Sequence, residues 1–222
     1  MLIRIYPFTL APVCHPGRSR AVFLLACMLL LTGCGGGATA VRYYLVDPID
    51  NSSAAISTDN QIAIEILDIQ VPQYLERFHI ATRRQANQLH FADNNQWGEN
   101  LRKNLLRTLA RNLSVLLGSN DVGTPLNRSM SLPDYRVQVH IEQFERDSDG
   151  IVKLIARWQV SGQQANTSPL TLRADLQGDS RIAGDDYDRI VAEMQQLFGQ
   201  LSQRIAESLR ATINSAGAQG GS

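Results

Sequence analysis

The sequence predicts an α+β domain with two long amphipathic helices packed on a largely antiparallel sheet. Three observations point there. Short segments alternate apolar and polar residues, two longer stretches place apolar residues at helical spacing, and the strands fall into groups separated by those helices.

RYYLVDP, starting at Arg42, reads as a first strand stopped by Pro48. A polar loop is expected over 50–60. Ile62, Ile64 and Ile66 then alternate with Ala63, Glu65 and Leu67, and Pro72 ends that strand. HIATRRQANQLHF reads as two short strands around a polar turn near Gln85 to Gln88. The ADNNQ stretch offers helix caps, with Asp93 and Gln96 at the spacing of a loose capping box. The first helix is expected to follow, running to about Leu117. Trp97, Leu101, Leu105, Leu109, Leu113 and Leu116 lie on one face, and Gly118 closes it.

Residues 118–133 read as a polar loop. Tyr135, Val137, Val139 and Ile141 then mark a strand, and DSDG at 147–150 is a tight turn. Val152, Leu154, Ala156, Trp158 and Val160 alternate on the return strand. Leu170, Leu172, Ala174 and Leu176 alternate on a third. A final helix is expected from about Asp185 to Ile213, its stripe running from Tyr187 to Leu209. The resulting order is β-β-β-β-α-β-β-β-α, a single domain over 42–213, with a disordered tail expected over 214–222.

The first residues read as a signal that is removed. The apolar run from Ala21 to Leu31 is 11 residues long, well short of the roughly 20 needed to cross a bilayer. Arg4, Arg18 and Arg20 precede it with no acidic residue, the charge bias of a secretory signal. The run ends in Leu31, Thr32, Gly33 and Cys34, which resembles the lipobox of bacterial lipoproteins. Small residues let an extended backbone enter a membrane-embedded peptidase, and the Cys34 thiol takes the diacylglyceryl group. Residues 1–33 are thus a signal peptide, and 34–41 a lipidated Cys and flexible tether. No cofactor is expected beyond the covalent diacylglycerol and N-acyl chain on Cys34. Gly35, where Asp would favour inner-membrane retention in enteric-type bacteria, favours the outer membrane's periplasmic face.

Removing residues 1–33 from the 222 leaves 189, one ordinary domain. Cys14 and Cys27 leave with the signal, so Cys34 is the remaining cysteine and no internal disulfide is expected. The whole chain balances 21 basic against 21 acidic residues, and loss of the three arginines leaves the mature domain at −3. That mild acidity argues against nucleic-acid binding.

Catalytic signatures are missing from the sequence. His79, His90 and His140 lack ligand-type spacing, so no metal site is expected. There is no nucleophile elbow, phosphate loop or dinucleotide fingerprint. Glu145, Asp147 and Asp149 alternate in ERDSDG but lack the closing Glu of a calcium loop; a hairpin turn is the simpler reading. The chain is therefore read as non-enzymatic.

Three places are candidates for partner contact. Lys103, Arg107 and Arg111 recur every four residues opposite the leucine face. They read either as a solvated face or as contacts to an acidic partner or anionic lipid. Arg83 and Arg84 sit at a projecting hairpin, where turn solubility is the simpler explanation. Tyr74 and Leu75 follow Pro72 in a loop, where they would either contact a partner or join the core.

RYYLVDP after the lipid Cys, then LDIQVPQYLER, the helix beginning at Trp97, YRVQVHIEQFE and GIVKLIARWQV together resemble the ABC-type transport auxiliary lipoproteins, in particular the paraquat-inducible, PqiC-like branch. The resemblance runs from about Arg42 to Leu209. It implies an accessory lipoprotein under the outer membrane that docks an MCE-domain tunnel protein of an intermembrane lipid transport system and supports envelope integrity. A ring-shaped homo-oligomer would suit such docking. The alternative is a lipoprotein binding module for another envelope machine, such as a cell-wall synthase activator or a pore-assembly factor.

Overall fold

The computed structural model describes residues 39–49, 62–129, 131–162 and 169–219. The signal segment, Cys34 with Leu31, Thr32 and Gly33, most of the tether and the loop expected at 50–60 lie outside the described residues.

The elements are β1 (Arg42–Tyr44), β2 (Ile64–Gln70), a 3-10 turn (Gln73–Glu76), β3 (His79–Gln85), β4 (Gln88–Trp97), α1 (Leu101–Leu117), β5 (Val122–Gly123), β6 (Tyr135–Arg146), β7 (Val152–Gly162), β8 (Leu170–Gln177) and α2 (Tyr187–Gln219). The strands form one sheet ordered β1-β4-β3-β6-β2-β5, with β7 on β6 and β8 on β7. The ladders β3–β4, β6–β7 and β7–β8 are antiparallel and carry most of the pairing. β1–β4, β2–β5, β2–β6 and β3–β6 are parallel, so the sheet is mixed.

β6 is the axis of this sheet. β7 pairs with it from Tyr135↔Gly162 to Arg146↔Val152. Along its other edge β2 and β3 lie end to end: Gln70 pairs with His140, and Thr82 with Arg146 farther on. The 3-10 turn connects them and brings the Tyr74 hydroxyl to Glu145 of β6. Alternation dictates the core here. Val137, Val139 and Ile141 of β6, with Val152, Leu154, Ala156, Trp158 and Val160 of β7, are all buried against the helices. The opposite face of the sheet shows Arg136, Gln138, His140, Arg157, Thr171 and Arg173 to solvent.

Two bulges break strict alternation and redirect side chains. Register shifts between Ile66 and Asp68, leaving Leu67 exposed and passing burial to Ile69. It shifts again between Ile141 and Gln143, and both Phe144 and Glu145 become buried.

The expected capping box is not a helix start. Asp93 and Gln96 lie inside β4, because β1 pairs in parallel with Asn95–Trp97 and continues the ladder there. Trp97 is buried as the last strand residue. The helix cap is Asn100, whose side chain accepts from the Lys103 N–H at 3.2 Å. At the other end Gly118 adopts φ 65°, the left-handed conformation that ends the helix as expected. The segment read as a plain loop at 118–133 contains β5, a two-residue strand beside β2.

α2 buries the expected stripe, including Ile190, Met194, Phe198, Leu201, Ile205 and Leu209. It runs on to Gln219, past Ile213 and into the segment expected to be a tail. No helix among the described residues is long and apolar enough to cross a membrane.

The DSDG turn is closed by Asp147. Its carboxylate accepts from Asp149 N–H at 2.8 Å, from Ile151 N–H at 3.0 Å and from Lys153 Nζ at 2.8 Å. Burial pushes this carboxyl up, but Lys153 and the two amides outweigh that and hold it below its ordinary value. The stability it contributes is therefore present above the unfolded carboxylate value and lost as pH falls through the lower folded one.

Candidate functional site

The segment from Val41 to Ile49 connects the tether to the domain, and side chains from both helices hold it. Asn104, Thr108 and Asn112 recur every four residues on α1 and are buried, although polar. The Val46 N–H donates to Asn104 Oδ1 at 2.8 Å. Val46 O accepts from Asn104 Nδ2 at 3.3 Å and from Thr108 Oγ1 at 2.7 Å. The Ile49 N–H donates to Asn112 Oδ1 at 3.0 Å, and Asn112 Nδ2 donates to Ser202 Oγ of α2 at 2.9 Å. Past Tyr44 this strap pairs with no strand among the described residues, so the helix supplies the donors and acceptors its buried backbone needs. Gly199 of α2 lets Ile49 approach closely, since a Cβ at that position would collide with the Ile49 side chain. At the other end Arg42 Nη1 lies 3.3 Å from the Asp188 carboxylate, and the Tyr44 hydroxyl donates to it at 3.0 Å.

A second cluster gathers Tyr74, Arg83 and Glu145, all three singled out in the sequence. Glu145 is 0% exposed. It accepts from the Tyr74 hydroxyl at 2.7 Å, from Arg83 Nε at 2.6 Å and from the Phe144 N–H at 3.1 Å. Arg83 is therefore committed inside the fold, with its side chain 27% exposed. Burial and the neighbouring Glu145 charge both push the Tyr74 hydroxyl above its ordinary value, so it stays a donor. Charge-assisted bonds of this kind are the strong ones. They tie the 3-10 turn and β3 to β6 where direct ladder pairing is sparse.

Leu75 is a correction. At 2% exposure it belongs to the core, because the 3-10 turn points it inward between β2 and β3. It offers a partner nothing. Arg84 is exposed, with Nη2 3.1 Å from His90 Nε2. Lys103, Arg107 and Arg111 do form an exposed row on α1. Arg107 is paired with Glu99, whereas Lys103 and Arg111 have no ion pair among the described residues.

The acidic run in ERDSDG is thus divided: Glu145 serves Tyr74 and Arg83, and Asp147 serves the turn. His79 and His140 contact Gln96 and Gln70 at 3.3 and 3.2 Å. Among the described residues no three His, Cys, Asp or Glu side chains converge as metal ligands would. What the arrangement does is mechanical: it fixes where the tether leaves the domain. Sequence reasoning missed the strap's clamp, although Asn104, Thr108 and Asn112 recur every four residues beside the leucines.

A family model described as the ABC-type transport auxiliary lipoprotein component matches residues 43–206. The intermembrane transport lipoprotein PqiC of Escherichia coli (strain K12) is 23% identical over 184 residues, spanning 82% of this chain and 93% of that protein. A solved structure described as an uncharacterized protein superposes with a TM-score of 0.62 at 22% identity, covering 77% of this chain and 99% of the other. A second, from Xanthomonas campestris, gives 0.58 at 13% identity, covering 82% and 99%. Both structures share the fold.

Proposed function

The chain belongs to the family of ABC-type transport auxiliary lipoproteins, and from that premise we propose that it is the outer-membrane-anchored docking component of an MCE-type intermembrane lipid transport system. The observation that carries this reading is the family match over residues 43–206, together with likeness to an intermembrane transport lipoprotein along 82% of the chain. Cys34 carries the lipid, and Leu31, Thr32 and Gly33 are read by the processing enzymes. The domain acts without catalysis, as a part that holds the distal end of an MCE tunnel at the membrane and so supports envelope integrity. A ring of identical copies would give such a tunnel a seat. Lys103 and Arg111, the exposed cations of α1 without an ion pair among the described residues, are offered with Arg84 as contacts to an acidic partner surface.

Affinity purification of the tagged full-length protein from its own envelope, followed by mass spectrometry, tests the reading. Near-stoichiometric recovery of an MCE-domain protein is the expected result. Recovery of a cell-wall synthase or secretion pore in its place would overturn it.

The anchor has its own test. A single acyl chain binds membranes marginally, at roughly 0.8 kcal/mol per buried CH2, whereas two or three chains hold a protein stably. Cys34→Ser removes the thiol that receives them. The variant should leave the membrane pellet as a soluble or uncleaved chain and take up no labelled palmitate. Normal fractionation and acylation of that variant would refute lipidation at Cys34.

A further inference from the structure

We propose that Val41, Tyr43, Leu45 and Phe78 form an apolar rim that rests on the phospholipid surface holding the lipid anchor; this rests on the reading of Cys34 as the lipidated residue. Among the described residues, Tyr43 is 67% exposed and Phe78 60%, and Val41 and Leu45 are exposed as well. The other large exposed apolar residues, Leu67, Leu126, Leu132 and Leu170, are spread over β2, the segment between β5 and β6, and the start of β8. Scattered exposed apolar residues need no explanation, but a concentration at one end of a sheet does.

The pairing brings the rim together. Tyr43 lies opposite Gln96, and Tyr44 opposite Trp97. The Trp97 N–H donates to Phe78 O at 2.6 Å, and His79 pairs with Gln96. Tyr43 shares a row with Gln96 and His79, and Phe78 comes one residue before His79, so both lie at the same end of three neighbouring strands. Leu45 follows where the Gly98 N–H donates to Tyr44 O at 2.8 Å.

The length of chain outside the domain selects the occupant. Residues 35–40 alone separate Cys34 from Val41. Fully extended they span about 20 Å, and as a Gly-rich coil about 13 Å. The pairing of β1 with β4 from Arg42 onward prevents that distance from growing, so this end of the sheet cannot leave the neighbourhood of the bilayer. Tyr43 has the chemistry for the site, an apolar ring with a polar tip, and Gln96 and His79 beside it can stay among the headgroups. A second copy of the chain would need no such coincidence with the tether exit.

The test uses the lipidated full chain in phosphatidylethanolamine/phosphatidylglycerol vesicles containing doxyl-labelled lipid. Cys34 is blocked by its lipid, so Tyr43→Cys, Phe78→Cys and, as a reference on the exposed face of β8, Thr171→Cys each provide one thiol for an environment-sensitive fluorophore. Leu45→Cys replaces Tyr43→Cys should that variant misfold by circular dichroism. The rim positions should be quenched about threefold or more beyond position 171. Equal quenching at all positions, with the chain still floating with the vesicles, overturns the rim while leaving the anchor intact. Cross-linking between copies through position 43, without lipid quenching, assigns the rim to a second copy and overturns the proposal. A chain that fails to float with the vesicles refutes the anchor, and the rim falls with it.

Discussion

Arg83→Ala should destabilise the domain by about 2–3 kcal/mol, the effect of leaving a buried carboxylate without its cation. Glu145 is fully buried and accepts from Arg83 Nε at 2.6 Å. The variant leaves it only the Tyr74 hydroxyl and the Phe144 amide as donors. The 27% exposure of the Arg83 side chain admits some water to the vacated space, which is why the expected loss lies below the full cost of an unpaired buried charge. Glu145→Gln in the Arg83→Ala background removes the orphaned charge and keeps a carbonyl for Tyr74. It should recover at least about 1 kcal/mol, a coupling that a double-mutant cycle reads directly. Urea denaturation followed by circular dichroism measures all of these variants. A shift below about 0.5 kcal/mol for Arg83→Ala would show that the pair is worth no more than a surface ion pair.

That cluster also marks where sequence reading stops. The meander β6-β7-β8 and both leucine-rich stripes were legible, because one-sided burial imposes periods of two and 3.6 residues on the sequence. Glu145 was not legible as a core residue, since the bulge after Ile141 shifts the phase and sends it inside. Arg83 consequently looked like hairpin solubility. Asp93 and Gln96 imitated a capping box, because nothing local revealed that β1 would return to pair with Asn95–Trp97. Long-range parallel pairing leaves no periodic trace. The same holds for β5, whose two residues make a strand only beside Ile64 and Glu65.

The candidate site shows the same division. The leucine face of α1 was visible, and the cations opposite it were visible and are exposed. Between them Asn104, Thr108 and Asn112 looked like ordinary flank residues. They are buried because the strap covers them, and the strap carries no hydrophobic period of its own: in LVDPI only Val46 is fully enclosed. A polar every-four stripe beside an apolar one is the signal that a backbone lies across a helix.

Removing that stripe should release the strap before it unfolds the domain. Asn104→Ala strands the Val46 N–H, a donor in a fully buried residue, while Thr108 keeps its bond to Val46 O. An unsatisfied buried donor costs about 1–3 kcal/mol, and the strap can avoid that cost by lifting into water. Hydrogen exchange at Val46 and Ile49 should therefore accelerate by about tenfold or more, with the amides of β6 and β7 unchanged. Asn112→Ala should do less, because the Ile49 amide it serves is only half-buried and water can replace the lost oxygen. Unchanged exchange at Val46 in Asn104→Ala would refute the clamp. The consequence stops short of the membrane end. β1 lies between the tether and the clamp and stays paired with β4 from Arg42↔Asn95 to Tyr44↔Trp97, so the free tether remains residues 35–40. Lipid quenching at position 43 in Asn104→Ala should therefore stay above that at position 171, while the Val46 amide exchanges faster.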